Sequence, residues 1–400
     1  MPKILMLSDI TGLGPDYHVG DEAMAEVAIE RLSDLIGKEN LILGCANPER
    51  VPATYGIRAF AFYHTTDKQH RMMLWSKPLS YFKSFMTNIY QVLRCDKVVI
   101  CGGGNMTSVW PEVLESRLRL LKVANFFGKD VVLVSQTIGP YEEHHRQQVD
   151  QILAKARWIG VRDIHFSQTQ ISAPVHFALD DACFLDHRHS DYSRKISDEQ
   201  KHFACVSMRK FGGMNDDDVL HVAKAIERVT QANGVKTVYI PHHAPGGVKG
   251  DIELGKNISH LWPKGQFHMV DPIPLASELK ALTADSQFVV SMRYHQLIFA
   301  LSIGIPAVGV YVDQYTQAKL TGAFEAMGLE PFVTSVENID NDLEALVAKA
   351  IAAQETFEAA AQKIQSQERA SNLRPYYLLS DSDEAERIGN LEGVREVKSL

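Results

Sequence analysis

The sequence has no apolar run near the ~18 residues that a membrane-spanning helix needs, and no basic block of the kind typical of general nucleic-acid binders. Acidic residues outnumber basic ones by 49 to 41, which gives a formal charge of −8 at pH 7. The apolar N-terminal stretch is interrupted by Asp9 before it reaches the length of a signal sequence. We therefore expect a soluble, cytoplasmic protein that does not bind nucleic acid.

Cysteine and histidine spacing excludes the common metal motifs. The five cysteines are scattered, and no pair has CxxC or zinc-finger spacing, so we expect reduced, buried thiols. His242 and His243 are adjacent, but neighbouring side chains of an extended chain point in opposite directions and no third ligand is suitably spaced. The sequence predicts no metal site.

The length and the order of apolar segments predict two α/β domains. A chain of 400 residues is long enough for two domains, and 45% hydrophobic with 22% charged residues is ordinary for globular proteins. Short apolar segments alternate with amphipathic ones, as in doubly wound parallel sheets. The predicted strands cover 3–7, 41–46, 97–101, 130–135 and 156–161, then 203–208, 235–240, 286–291 and 307–312.

The domain boundary is predicted from a change in composition. Residues 186–201 contain few apolar side chains. We predict an N-terminal α/β domain over 1–187, a linker over 188–202, a C-terminal α/β domain over 203–375 and a charged tail over 376–400. Two such Rossmann-like domains would face a cleft, which is a common place for a ligand site.

Glycines and polar residues follow several predicted strands, where ligands gather in open α/β sheets. Gly20, Asp21 and Glu22 open a predicted helix after a glycine loop that does not fit the dinucleotide fingerprint. Asp21 either caps this helix or contacts a ligand. A second run comprises Gly102, Gly103, Gly104 and Asn105, and Gln136 begins the segment after a later strand. Three glycines permit close backbone approach to a ligand, with a tight packing turn as the alternative.

Three arginines and one histidine stand at strand ends. Arg162 either forms a salt bridge with Asp163 or a neighbour, or binds an anion. Arg293 and His295 lie at a predicted strand-to-helix turn, where free N–H groups favour anions. Arg209 follows the first strand of the second domain and is a further candidate for the same site.

In this order, these motifs resemble the polysaccharide pyruvyl transferases. The resemblance rests on residues 20–22, 102–104, 136–140, 161–163 and 291–295, followed by 304–306 and 311–319. It covers about residues 3–330 and implies two domains with a GT-B-like fold. It implies transfer of a pyruvyl group from phosphoenolpyruvate to a sugar diol of a polysaccharide or glycan precursor, giving a cyclic ketal. It also implies that Arg162, Arg293 and His295 contact phosphoenolpyruvate.

This chemistry suits the residue types. Arginine offers a planar fork to both the carboxylate and the phosphate of the donor. The enol carbon must gain a proton when a hydroxyl attacks, and His295 is the candidate acid. The remaining candidates, Arg209, residues 20–22, 102–105 and Gln136, are assigned to substrate binding. No cofactor is predicted.

Two other functions remain open. A GT-B glycosyltransferase would use a nucleotide sugar and bind its diphosphate near the same arginine, whereas phosphoenolpyruvate needs no nucleobase slot beside that anion site. A two-domain binding protein without catalysis is the non-enzymatic alternative. A further question concerns 67–95, which either packs as a helix on the first sheet or leaves Trp75 and Tyr81 exposed to a lipid-linked acceptor or a membrane surface.

Overall fold

The computed structural model describes residues 1–14, 16–76, 78–244, 250–367 and 369–381. These residues form two compact units. Unit 1 comprises 1–14, 24–181 and 369–381, and unit 2 comprises 16–23, 182–244 and 250–367.

The strands and helices alternate along most of the chain. The strands are β1 (Ile4–Leu7), β2 (Tyr17–His18), β3 (Leu41–Cys45), β4 (Arg58–Ala61), β5 (Lys97–Ile100), β6 (Gly103–Met106), β7 (Asp130–Ile138), β8 (Trp158–Val161), β9 (His176–Phe177), β10 (Phe203–Ser207), β11 (Lys236–Tyr239), β12 (His243–Ala244), β13 (Phe267–Met269), β14 (Val289–Ser291), β15 (Ala307–Tyr311) and β16 (Val333–Ser335). The helices are α1 (Val19–Ile36), α2 (Val51–Tyr55), α3 (Asp67–Ser76), α4 (Pro78–Arg94), α5 (Pro111–Phe126), α6 (Glu143–Leu153), α7 (Ile164–Gln170), α8 (Asp191–Gln200), α9 (Asp216–Ala232), α10 (Asp251–Ile258), α11 (Ala276–Ala284), α12 (Tyr294–Ser302), α13 (Gln314–Ala326), α14 (Ile339–Ala352), α15 (Gln354–Gln367) and α16 (Arg369–Ser380).

Unit 1 is built on a parallel sheet in the order β4-β3-β1-β5-β7-β8-β9, with β6 paired to β7. Its inner strand β1 is buried along its whole length and pairs Leu5 with Ile42 on one side and Val98 on the other. A continuous apolar run is expected for a parallel strand that is covered on both faces. The glycine run and Asp9 follow the carboxyl ends of these strands, so they lie along one edge of the sheet.

Unit 2 contains a second parallel sheet in the order β13-β11-β10-β14-β15-β16. Strands β10 and β14 lie at its centre and are buried, and Val206 pairs with Val290. A separate antiparallel pair joins β2 to β12, with His18 opposite His243. The predicted class, α/β with two Rossmann-like parallel sheets, is confirmed.

The predicted linker contains a helix. Residues 188–202 include α8, which Ser190 begins with a capping box that uses Ser193, and Ile196 on this helix is buried. The segment has few apolar residues because most of its surface is solvated, whereas local capping makes it helical.

The predicted start of the C-terminal tail falls inside a helix. Helix α16 runs through the boundary at 375 and 376, and Tyr376 and Leu379 are fully buried in unit 1. The Tyr376 hydroxyl donates to Asp181 Oδ2 over 2.6 Å. The charged part of the predicted tail, 382–400, lies outside the described residues.

Two further features concern the thiols and the helices. All five cysteines are buried, and none forms a disulfide bond. Within the part of the chain that the structure describes, no helix combines the length and apolar character needed to cross a bilayer.

Candidate functional site

The turn between β14 and α12 positions Arg293 and His295 beyond the centre of the unit 2 sheet. Arg293 precedes the helix with an extended backbone, at φ −101° and ψ 122°. The Ser291 side chain fixes this turn, because it accepts from the Arg293 N–H and donates to the Arg293 carbonyl, each over 2.9 Å. The N-cap residue Arg293 makes no side-chain capping bond, and the positive end of the helix dipole lies at this turn.

Asp251 holds the Arg293 guanidinium. The two side chains form an ion pair in which Arg293 is 14% and Asp251 3% exposed. The second oxygen of Asp251 accepts from the His242 N–H over 2.9 Å. The Nε of Arg293 is buried and has no hydrogen-bond partner within the described part of the chain. One N–H of this arginine is therefore available to an anion.

The predicted Gly20 motif lies directly against His295. A Cβ atom at position 20 would stand 1.9 Å from His295 Nδ1, so only glycine fits there. The backbone is fixed next to this glycine, because Val19 N–H donates to the His242 carbonyl over 3.0 Å. In the same turn, Asp21 lies at 3.8 Å from His18 Nδ1 and Glu22 is buried.

Several histidines lie close to the ion pair of Arg293 and Asp251. The rings of His18 and His243 are 4.8 Å apart, whereas His242 turns the other way and donates to Gln296 Oε1 over 2.9 Å. Burial, reinforced by the Arg293 charge, lowers the pKa of His242 to about 3. The same two causes lower the pKa of His18 and of His243. The ring of His18 is 39% exposed, but its Nδ1 is buried, so the desolvation acts at that nitrogen.

Arg209 adds a second guanidinium to this cluster. It lies over the Phe211 ring at 3.7 Å. Burial and then the nearby Arg293 charge lower the pKa of Arg209 to about 10. Neighbouring positive groups lower one another's pKa, and their combined field attracts an anion. We call Arg209 and Arg293, whose guanidinium groups carry the positive charge, together with the neighbouring His18, His243 and His295 the cationic cluster.

A cavity of about 640 Å³ begins next to this cluster in unit 2. Lys210, beside Arg209, and Gly250, beside Asp251, both line it. Helices α9 and α10 supply apolar walls and the polar side chains of Asp216 and Asn257. The pyruvyl transferase hypothesis predicted that this domain would lack a nucleobase slot beside the anion site, and the cavity goes against that prediction.

In unit 1, Arg162 is buried and fully engaged by polar neighbours. It forms an ion pair with Asp180, in which the two side chains are 2% and 1% exposed, and its Nε donates to Thr137 Oγ1 over 2.9 Å. Of the two predicted roles of Arg162, the structure shows the salt bridge to a neighbour, which is Asp180. Its contact with the donor, together with Arg293 and His295, stays a prediction.

The glycine run of unit 1 is closely packed. A Cβ at Gly102 would stand 2.6 Å from Met24 Sδ, and Gly103 has φ 139°. Gln136 is fully buried and its amide donates to the carbonyls of Cys101 and Val134, each over 2.9 Å. Close packing at Gly102 and the buried hydrogen bonds of Gln136 therefore account for these two residue types. The role of both residues and of Gly104 in substrate binding stays a prediction.

Sequence reasoning missed a polar network at the same edge of unit 1. Asp9 accepts from Asn105, from Arg117 Nη2 over 3.0 Å and pairs with His64 Nε2 over 3.0 Å. Burial raises the pKa of this carboxyl, but the Arg117 charge and the two other hydrogen bonds prevail and hold the pKa of Asp9 well below its usual range. Asp9 directly follows the β1 segment, which was the available signal, but its partners come from distant positions.

One group of described side chains has the spacing of metal ligands. Glu115, His144 and His145 of unit 1 bring ligand atoms within 4.8 Å of one another. The His145 ring is already bonded on both sides, to Ser108 Oγ over 2.8 Å and to Glu115 Oε1 over 3.1 Å. Both ring nitrogens of His145 therefore have protein hydrogen-bond partners.

Comparison with solved structures shows a GT-B-like fold. A Listeria monocytogenes protein assigned as a UDP-N-acetylglucosamine 2-epimerase has a TM-score of 0.62 at 12% identity, over 100% of this chain and 99% of its own. Anabaena HepE in complex with UDP and glucose has a TM-score of 0.58 at 14% identity, over 95% and 100%. The UDP-GlcNAc 2-epimerase from Neisseria meningitidis bound to UDP-GlcNAc has a TM-score of 0.56 at 12% identity, over 90% and 94%.

The sequence itself gives a narrower assignment. No curated protein sequence matches the chain. The family profile described as polysaccharide pyruvyl transferase matches residues 18–314, which is well over half of the chain and includes the Gly20 turn, Arg162 and the turn with Arg293 and His295. This protein therefore belongs to the polysaccharide pyruvyl transferase family.

Proposed function

We propose that this protein transfers the pyruvyl group of phosphoenolpyruvate to a sugar diol of a polysaccharide or glycan precursor. The cationic cluster of unit 2 is the observation that carries this proposal. It combines two guanidinium groups, one unpartnered Arg293 N–H and an uncapped helix start within one turn of His295. A small molecule with a phosphate and a carboxylate is complementary to it in charge.

The donor is held by charge and oriented by the helix. The carboxylate or phosphate accepts from the Arg293 Nε, and the positive end of the α12 dipole orients the second anionic group. Hydrogen bonds to charged groups contribute roughly 1.5–3 kcal/mol each, against about 0.3–1 kcal/mol for a helix dipole. Arg293 therefore dominates the affinity for the donor.

His295 supplies the proton that the reaction needs. One hydroxyl of the diol adds to C2 of phosphoenolpyruvate while the imidazolium of His295 protonates C3, which becomes a methyl group. The C2–O bond to phosphate then breaks, and the second hydroxyl closes the cyclic ketal. The diol loses two protons, one of which is balanced at C3 and one on the released phosphate.

The acceptor is assigned to unit 1. Asp9 is 20% exposed, is held as a carboxylate by Arg117 and His64, and has lone pairs left for a sugar hydroxyl. Its strongly depressed pKa makes it a hydrogen-bond acceptor that orients the sugar rather than a general base. Asn105, which donates to Asp9, takes part in this site through that contact.

Kinetics of two variants separate the proposed roles. Arg293→Ala removes an anchor and should raise the KM for phosphoenolpyruvate with a smaller effect on kcat. His295→Ala removes the acid and should lower kcat by roughly 10²–10⁴-fold with KM largely kept. Turnover is measured as phosphate release together with nuclear magnetic resonance of the new ketal methyl group.

Matched controls come from the exposed surface of unit 2. Arg228 and His221 both pair with Asp340 at the surface, so Arg228→Ala and His221→Ala should keep wild-type kinetics. If His295→Ala left kcat unchanged between pH 6 and 8, the assignment of the acid would be wrong. If no sugar diol accepted a pyruvyl group, the proposed reaction would be wrong.

A GT-B glycosyltransferase acting on a nucleotide sugar is the second candidate. The cavity of about 640 Å³ beside Arg209 favours it, because a nucleotide donor needs room for a base next to its diphosphate. Incubation with nucleotide sugars, followed by detection of released nucleotide, tests this candidate. If the protein transfers a pyruvyl group and releases no nucleotide, the second candidate is wrong. The cavity would then hold another part of the substrate.

A further inference from the structure

Helix α4 exposes a stripe of large apolar side chains. Phe82, Met86, Tyr90 and Leu93 are 61%, 43%, 51% and 48% exposed. At 3.6 residues per turn, they fall within an arc of about 80° on the helix surface. A helix on the surface of a globular protein normally carries polar residues on its outer side. We call these four residues the outer stripe.

The outer stripe is separate from the side by which α4 packs onto unit 1. Asn88, Val92, Phe85 and Ile89 lie on the inner side and line a small cavity of about 70 Å³, and Ile89 lies next to the outer stripe. Val92 is fully buried. Helix α4 therefore packs onto unit 1 through its inner side. The side chains of the outer stripe stay exposed, and an exposed apolar patch of this kind marks an interaction surface.

Positive charge borders the outer stripe. Lys83 and Arg94 are exposed and follow it on the same side of the helix. Arg94 donates to the Tyr90 hydroxyl over 2.8 Å, with its guanidinium 5.2 Å from the ring centroid. The segment 67–94 contains five lysines and arginines and one acidic residue, although the whole chain has a formal charge of −8. An apolar stripe bordered by cations is the pattern of helices that lie in a lipid interface.

We propose that the outer stripe of α4 docks unit 1 onto the surface of an anionic lipid bilayer. Charge complementarity decides between this occupant and a second copy of the chain. Two copies paired through α4 would bring two positive segments together, whereas anionic headgroups attract each Lys and Arg near the surface. The inference is independent of the proposed reaction. The side chains of Trp75 and Tyr81, which the sequence suggested for such a surface, lie outside the described residues.

Vesicle co-sedimentation of the full chain tests this proposal. Wild-type protein should sediment with vesicles of phosphatidylcholine mixed with phosphatidylglycerol, and less with phosphatidylcholine alone or at raised salt. The double variant Phe82→Gln, Met86→Gln should bind the mixed vesicles at least ~10-fold more weakly, because two buried apolar side chains are lost. Both positions are exposed, so the fold should be kept, and circular dichroism checks it. Ile351→Gln changes an exposed apolar residue of unit 2 and is the matched control.

Three results would overturn the inference. The first is no sedimentation of wild-type protein with the mixed vesicles. The second is equal vesicle binding by wild type and the double variant. The third is a dimer of the wild type in light scattering that the double variant dissociates, which would assign the outer stripe to a second copy.

Discussion

At the scale of single residues, the close approach of Gly20 to His295 joins two predicted site motifs that are far apart in sequence. The His295 ring occupies the place that any side chain at position 20 would need. The glycine thereby lets the His295 ring lie against the first turn of that helix, where it keeps one orientation.

Gly20→Ala should disturb this orientation. The new methyl group would stand 1.9 Å from His295 Nδ1, so the ring must move. We expect a fall in kcat of roughly tenfold or more, because a misplaced proton donor costs rate. Enzyme kinetics measure the fall, and thermal unfolding measures any loss of stability.

A second glycine serves as the control for Gly20→Ala. Gly322 lies inside α13 with open space around it, so Gly322→Ala should keep kcat and stabilise the protein by roughly 0.5–1 kcal/mol. Wild-type kcat in Gly20→Ala would contradict the role given to the contact with His295.

Buried histidine makes the protein less stable in acid. The pKa of His242 is about 3 in the folded protein, against an ordinary value of 6.5. Above pH 6.5 the ring is neutral in both states and contributes nothing. As the pH falls from 6.5 toward 3, His242 is protonated in the unfolded chain but stays neutral in the folded protein. The free energy of unfolding therefore decreases. Between pH 7 and pH 5 this single group should cost about 2 kcal/mol.

Urea unfolding of wild type and His242→Gln at pH 7 and pH 5 measures this contribution. The variant has no titrating ring at this position, so its free energy of unfolding should fall less between the two pH values than that of wild type. His260→Gln, at an exposed position, should show the wild-type difference. An equal loss of stability in His242→Gln and wild type would show that His242 is not the acid-sensitive group.

At the scale of helices and strands, the apolar runs of the central parallel strands were the strongest signals. Strands such as β1 and β10 are buried on both faces, so their sequences are apolar throughout and they could be predicted closely. Helix α8 could not, because it depends on a capping box at Ser190 and a single buried Ile196 rather than on an apolar stripe. Strand β2 was missed because two residues carry no periodic pattern, and it forms only by pairing with β12.

The same distinction applies to the candidate site. Arg293, His295 and Arg209 directly follow predicted strands, so their place at the edge of the sheet followed from the sequence. The approach of Gly20 to His295, the ion pair of Arg293 with Asp251 and the cavity beside Lys210 all depend on contacts between distant segments. No local pattern contains such contacts, and they emerge only when the sheet is assembled.

At the scale of the whole molecule, the distribution of charge matters more than its sum. The chain carries a formal charge of −8, yet the cationic cluster of unit 2 and the segment around α4 in unit 1 are both positive. Separate positive regions on an acidic protein indicate separate anionic ligands. We assign a small dianion to the cationic cluster and a lipid surface to the outer stripe, and the two assignments can fail independently.

Titration calorimetry of the full chain with phosphoenolpyruvate and with UDP tests the central claim most directly. We predict that phosphoenolpyruvate binds wild-type protein and the control Arg228→Ala alike, that binding weakens as salt rises, and that Arg293→Ala weakens it by roughly tenfold or more. We predict no binding of UDP. Tight binding of UDP with none of phosphoenolpyruvate would contradict the account and assign the cationic cluster and its neighbouring cavity to a nucleotide sugar.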